Sequence, residues 1–203
     1  MRYEMALRRL ESRVNSLVGL SGSFFAARRE VCQDWQPDVQ SDFNTLMASV
    51  RRGLRGVSDP EALGFYRNVR REGQEFGRKV RTVVRGLSAL SRNLDLLNPF
   101  SHGLFSLQIL SHKLCRWLVP FFMVLAATAN LCLLHQALYR WLFSLMAGFY
   151  ALALGGLLFP SLAKKHGLVR LPAYFVLTNL SIIVAWRDFL AGKRITTWQP
   201  SQR

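Results

Sequence analysis

The sequence predicts a membrane-anchored α/β chain. Residues 1–70 read as a water-facing part of mixed helices and short strands, and 71–116 as amphipathic interface helices. Residues 117–190 read as about three transmembrane helices, and 191–203 as a basic tail. Three observations predict this order. Two long runs near the C-terminus carry no charge. A basic amphipathic pattern precedes them. Short strand-like stretches bounded by Gly and Pro alternate with helical periodicity before that.

Over residues 3–18, Met5, Leu7, Leu10, Val14 and Leu17 fall near helical spacing with Arg8, Arg9, Glu11 and Arg13 between them. Gly19 and Gly22 then bracket small residues, and Phe24, Phe25 and Ala26 suggest a short buried strand ending at Arg28 and Arg29. Glycines at this spacing either form an ordinary turn or let backbone approach another group closely. Residues 33–40 are loop. Ser41 is a good N-cap for a helix running to a stop at Gly53, with Asp42 in the first turn, where the helix dipole favours a carboxylate. Residues 54–58 are a second strand candidate, Asp59-Pro60 a turn, and 62–66 a third strand candidate.

Residues 72–92 predict an amphipathic helix. Phe76, Val80, Val83, Leu87 and Leu90 step by 4, 3, 4 and 3, while Arg78, Arg81, Arg85 and Arg92 step by 3, 4 and 7. At about 100° per residue the arginines share roughly a 60° arc opposite the apolar stripe. Such a helix beside membrane spans suggests an in-plane position, and an arginine row suits a pyrophosphate, a lipid phosphate or plain solvent. Asn98-Pro99 breaks the chain, and 100–112 is a second amphipathic stretch ending near Lys113 and Arg116.

Trp117–His135 and Trp141–Phe159 each hold 19 residues without a charge. The hydrocarbon core is about 30 Å thick and needs roughly 20 apolar residues, so both pass. Leu171–Trp186 is shorter, at 16 residues, and reaches span length if extended to Leu190 with Arg187 snorkelling. Lys164, Lys165 and Arg170 mark the second linker as cytoplasmic, which puts 1–116 on the cytoplasmic side of a cell (inner or plasma) membrane as part of a multi-pass protein. A third crossing would carry Lys193, Arg194 and Arg203 outward, against that same tendency. Either the third segment is re-entrant or the tendency is overridden.

The chain carries 27 Lys and Arg against 12 Asp and Glu, a formal net charge of +15. Residues 1–116 have 19 against 11 and the rest 8 against 1, so the surplus is not a tail. No Cys/His finger, aromatic RNA-binding motif or basic heptad helix accompanies it, so membrane lipid and not nucleic acid is the expected partner. Cys32, Cys115 and Cys132 make no disulfide framework, and neither they nor the four histidines have metal-ligand spacing. The charged N-terminus is not a signal peptide.

Several stretches together resemble the C-terminal part of a membrane-bound family 2 glycosyltransferase, the group of cellulose, hyaluronan and poly-N-acetylglucosamine synthases. They are GLSGSFFAARRE (19–30), SDFNTLMASVRRGLRGVSDPEAL (41–63), FGRKVRTVVRG (76–86) and FLAGKRITTWQPSQR (189–203). The resemblance implies part of a glycosyltransferase A-type α/β domain clamped on interface helices. It implies inverting transfer of a sugar from a nucleotide-diphosphate donor to a saccharide or lipid-linked acceptor. Asp42 matches the catalytic Asp of the family's Thr-Glu-Asp motif, with Ser41 in place of the Glu. Arg81 matches the Arg of Gln-x-x-Arg-Trp and would meet the diphosphate, with Arg78 and Arg85 in support. Arg78 replaces the Gln and Thr82 replaces the Trp that stacks the acceptor sugar, which points to a divergent subgroup.

The family's Asp-x-Asp motif occurs nowhere in these 203 residues. Mg²⁺ or Mn²⁺ is expected for a complete enzyme, with its ligands outside this chain. The expectation is a fragment that meets nucleotide sugar and acceptor only together with a missing donor half, and is inactive alone. The alternative is a non-catalytic membrane scaffold that binds anionic lipid or a partner chain.

Overall fold

A computed structural model of the chain describes residues 2–22, 24–33, 36–62, 64–65 and 75–196. Among them every regular element is helical and no strand forms, so the expected α/β architecture and its glycosyltransferase A-type domain are overturned. The reason lies in pairing. A strand needs a neighbour for its backbone groups. Residues 54–58 do alternate, with 54, 56 and 58 turned inward and 55 and 57 exposed. They lie beside the end of the first helix, not beside another strand. Leu17 N–H donates to Gly56 O at 2.9 Å, Gly56 N–H to Ser16 Oγ at 3.0 Å and Ser58 N–H to Ser12 Oγ at 2.8 Å. Residues 24–28 likewise lack regular structure. Of the third strand candidate, Ala62, Gly64 and Phe65 are irregular, while Leu63 and Tyr66 lie outside the described residues.

The first helix, α1, runs Arg2–Val14, shorter than its apolar spacing suggested. After a 3₁₀ turn at Arg29–Val31, α2 occupies Ser41–Arg51. Ser41 is its first helical residue, and Gln40 takes the N-cap place without a side-chain cap. The end is as expected. Gly53, at φ 70°, donates to Val50 O, and Leu54 donates to Ser49 O, the paired bonds of a Schellman stop. Helix α3 spans Glu75–Ser91; the expected start at 72–74 lies outside the described residues. Asn98 caps α4 (Pro99–His102), its side chain accepting from Phe100 N–H at 3.0 Å, with Pro99 at the first helical position.

From Leu104 the chain is helical to Cys132. Helix α5 (Leu104–Ile109) passes through a π-helical turn (Leu110–Leu114) into α6 (Cys115–Cys132). After the short link 133–136 come α7 (Ala137–Leu158), α8 (Pro160–Lys165) and α9 (Gly167–Leu190). Leu104–Cys132, Ala137–Leu158 and Gly167–Leu190 are each long and apolar enough to cross a membrane. A multi-pass membrane protein is the assignment these helices support.

The core joins the N-terminal layer to the apolar helices. Phe43, Leu46 and Met47 of α2 are fully buried among Leu87 and Leu90 of α3 and Phe105 and Ile109 of α5. Each such side chain contributes about 1.5–3 kcal/mol of burial. Trp117 presents its ring edge-on to Phe43 at 6.4 Å and abuts Gly86, where an added Cβ would stand 2.8 Å from the indole. Trp186 of α9 donates from Nε1 to Trp117 O at 2.9 Å. The apolar stripe of α3 therefore packs into protein: Val80 and Val84 bury against Ala185 of α9.

Candidate functional site

The helix dipole and the loop around it position Asp42. Its carboxylate sits in the first turn of α2, 7% exposed, and Gln40 Nε2 donates to Oδ2 at 3.3 Å. The glycine loop closes over it. A Cβ on Gly22 would stand 3.2 Å from Asp42 Oδ2, and one on Gly19 would stand 3.2 Å from Lys113 Nζ. Of the two readings of these glycines, the structure supports close approach of backbone to charged groups. Lys113, at the entry to α6, holds its ammonium 4.9 Å from the centre of the Phe43 ring. Asp42 and Glu11 are the acids whose charge reaches it. Glu11 in turn pairs with His112 Nδ1 at 3.3 Å. The site is thus a carboxylate and an ammonium under one short loop, with Phe43 as floor.

The arginines divide. Arg85 turns to the chain itself. Its Nη2 donates to Pro37 O at 3.3 Å and also to Val39 O, fixing the strap that leads into α2. Arg92 pairs with Asp38 through both Nη atoms, one bond at 3.0 Å, and with Gln36 Oε1. That guanidinium, by its hydrogen bonds first, holds the Asp38 carboxyl below its ordinary value against the opposing effect of burial. Arg194 of the tail reaches the same carboxylate at 4.0 Å. Arg78 is exposed and Arg81 half-buried, and neither side chain has a hydrogen bond or ion pair among the described residues. So Arg85 and Arg92 hold the strap before Asp42, and Arg78 and Arg81 do not.

A groove among the described residues lies elsewhere. It measures about 550 Å³ between 26–31 and 53–57, with Arg28 and Arg55 its charged lining residues, and Asp42 does not line it. Among the described residues no group of three or more His, Cys, Asp or Glu side chains is placed to hold a metal. The described residues therefore do not fit a divalent cation.

No protein-family model, no curated protein and no solved structure matches this chain. The likeness to glycosyltransferases stands on the short stretches quoted above. Sequence reasoning missed Lys113 and Asp38. No local signal marks Lys113: the glycine loop that covers it and Asp42 together is remote in the chain. The signal for Asp38 was an acid within loop distance of the arginine row.

Proposed function

We propose that the chain is the acceptor-side, membrane-anchoring part of an inverting family 2 glycosyltransferase whose donor-binding half is polypeptide outside these 203 residues. The observation that carries this reading is the placement of Asp42. It is a carboxylate at a helix start, held by Gln40 and covered by the Gly19–Gly22 loop, at the helix start where the resemblance puts the acceptor base. In this reading the acceptor hydroxyl gives its proton to Asp42. The freed oxygen bonds to the anomeric carbon, and the bond from that carbon to the donor diphosphate breaks, its electron pair leaving with the phosphate. Arg81 and Arg78 meet that charge. The loop lifts to admit the hydroxyl, since the carboxylate is covered at rest.

Asp42→Asn tests it, in cells that also express the donor half and with transfer from a nucleotide sugar as the readout. Loss of about 10²–10⁴ in rate at unchanged membrane protein level is expected. Unchanged transfer at the same level defeats the proposal. The scaffold reading draws on a different observation, that Arg85 and Arg92 are both engaged with the strap. It expects a silent Asp42→Asn. It also expects Arg78→Glu with Arg81→Glu to weaken binding to vesicles rich in anionic lipid.

A further inference from the structure

Three apolar helices in series, all crossing, would leave the far end of α9 on the opposite side of the bilayer from the start of α6. The structure brings those two points together. Trp186, near the end of α9, bonds to Trp117 O at 2.9 Å, and its ring meets Phe121 at 5.9 Å. Beyond it, Arg194 lies beside Asp38 of the N-terminal layer. A crossing displaces the chain by about 30 Å. An even number of crossings is therefore required.

The contacts single out α9. Helices α6 and α7 meet at the link 133–136, so Trp117 and Gly156 belong to the open end of that hairpin. Helix α9 touches the hairpin at that end. It meets α6 at Trp117 and Phe121, and α7 at Gly156, where an added Cβ would stand 2.8 Å from Ala173 Cβ. Phe149 against Phe175, with centroids 5.7 Å apart, carries the second contact from that end toward the middle of α7. The opposite side of α9 carries α3 in parallel. Tyr174 donates to Glu75 Oε1 at 3.4 Å, and Lys79 donates to Thr178 Oγ1 at 2.8 Å while sitting 3.7 Å over the Tyr174 ring. Thr178 and Tyr174 are the middle of α9. If α9 crossed, Glu75, Lys79 and exposed Arg78 would sit at mid-bilayer, where a charge without water is strongly disfavoured. The window of α9 is 33% buried in protein, against 11% in each of the other two. Its remaining exposed surface is apolar along the middle, with Leu168, Leu171, Ile183 and Leu190 among its residues; the exposed charges Arg170 and Arg187 lie near its two ends, and further basic residues flank it.

We propose that only the α6–α7 hairpin crosses the membrane, and that α9 is an interfacial helix. It lies across the open end of the hairpin, its apolar face in the acyl–headgroup boundary and α3 on its water side. Layer and tail share one side, and Lys164, Lys165, Arg170, Lys193 and Arg194 all face the same leaflet. The third apolar segment is then no exception to the positive-inside tendency.

The test is labelling with a membrane-impermeant maleimide in a background with Cys32, Cys115 and Cys132 changed to Ser. Single cysteines are placed by Arg55→Cys in the layer, Gln136→Cys at the hairpin tip and Thr196→Cys in the tail. Intact cells and inverted vesicles are compared. Labelling at 55 and 196 in one preparation and at 136 in the other is expected. Labelling at 196 together with 136 overturns the proposal by putting the tail across the bilayer. Labelling at 136 together with 55 overturns it by showing no crossing hairpin. Should a cysteine variant fail to insert, protease digestion of a C-terminal epitope on the otherwise native chain tests the side of the tail in inverted vesicles. Loss of the epitope is expected, and its protection overturns the proposal.

Discussion

At the scale of single residues, charge settles the strap before α2. Arg92 depresses the Asp38 carboxyl below its ordinary 3.8, chiefly by hydrogen bonding. A carboxyl whose folded pKa is lowered gives its full stabilisation above the ordinary value, and loses it as pH falls through the lower, folded value. Arg92→Met removes the cause. The acid side of the stability profile should then move up toward the ordinary carboxylate range, and the variant should differ least from the parent at the most acid pH. Thermal unfolding in detergent between about pH 2 and 6 measures it. Asp42 was legible in sequence because a helix start is a local signal: Ser41-Asp42 before a helical run, with Gly53 after it. Lys113 was not legible. What gives it meaning is the Gly19–Gly22 loop, which is remote in the chain and folds back onto it.

At the scale of elements, two close approaches fix how helices meet. Gly86 lets α3 lie on Trp117, and Gly156 lets α7 lie on α9, where an added Cβ would also come within 3.1 Å of the Val169 carbonyl. Gly86→Ala forces a 7%-exposed indole to move. It should cost about 1–3 kcal/mol, seen as a lower unfolding midpoint in detergent. Gly156→Ala meets backbone as well as side chain, so it should also loosen α9 from α7, measured as faster proteolysis within α8. Helices whose pattern repeats over many residues were readable in advance, and the three long apolar segments lie close to where their composition put them. The strands were not. The alternation over 54–58 is real, but strand formation is a property of two segments, and Ser12 of α1 with Ser16 just beyond it offered hydroxyls where a second strand would offer a ladder.

At the scale of the whole molecule, the parts form three tiers. The layer of α1 and α2 rests on α3 and α5, α3 rests on α9, and α9 rests on the hairpin of α6 and α7. Composition announced the bottom tier, since membrane thickness is a fixed ruler. It did not announce which apolar helix lies in the middle tier. Length and hydropathy are nearly the same for α7 and α9; the difference is that polar residues of α9 face Glu75 and Lys79 of another element. Reading that from sequence requires knowing the pairing first.

The grip of Arg85 on the carbonyls of Pro37 and Val39 has an experimental cost. An alanine scan along this helix will report a crippled variant at position 85 and invite its assignment to a bound ligand. Calorimetry separates the two causes. Arg85→Ala should melt several degrees early, because carbonyls inside a folded loop lose their donor. Arg81→Ala should melt with the parent, its guanidinium holding no group among the described residues. Cripples that also melt early are scaffolding failures, and only those that melt on time speak for a ligand.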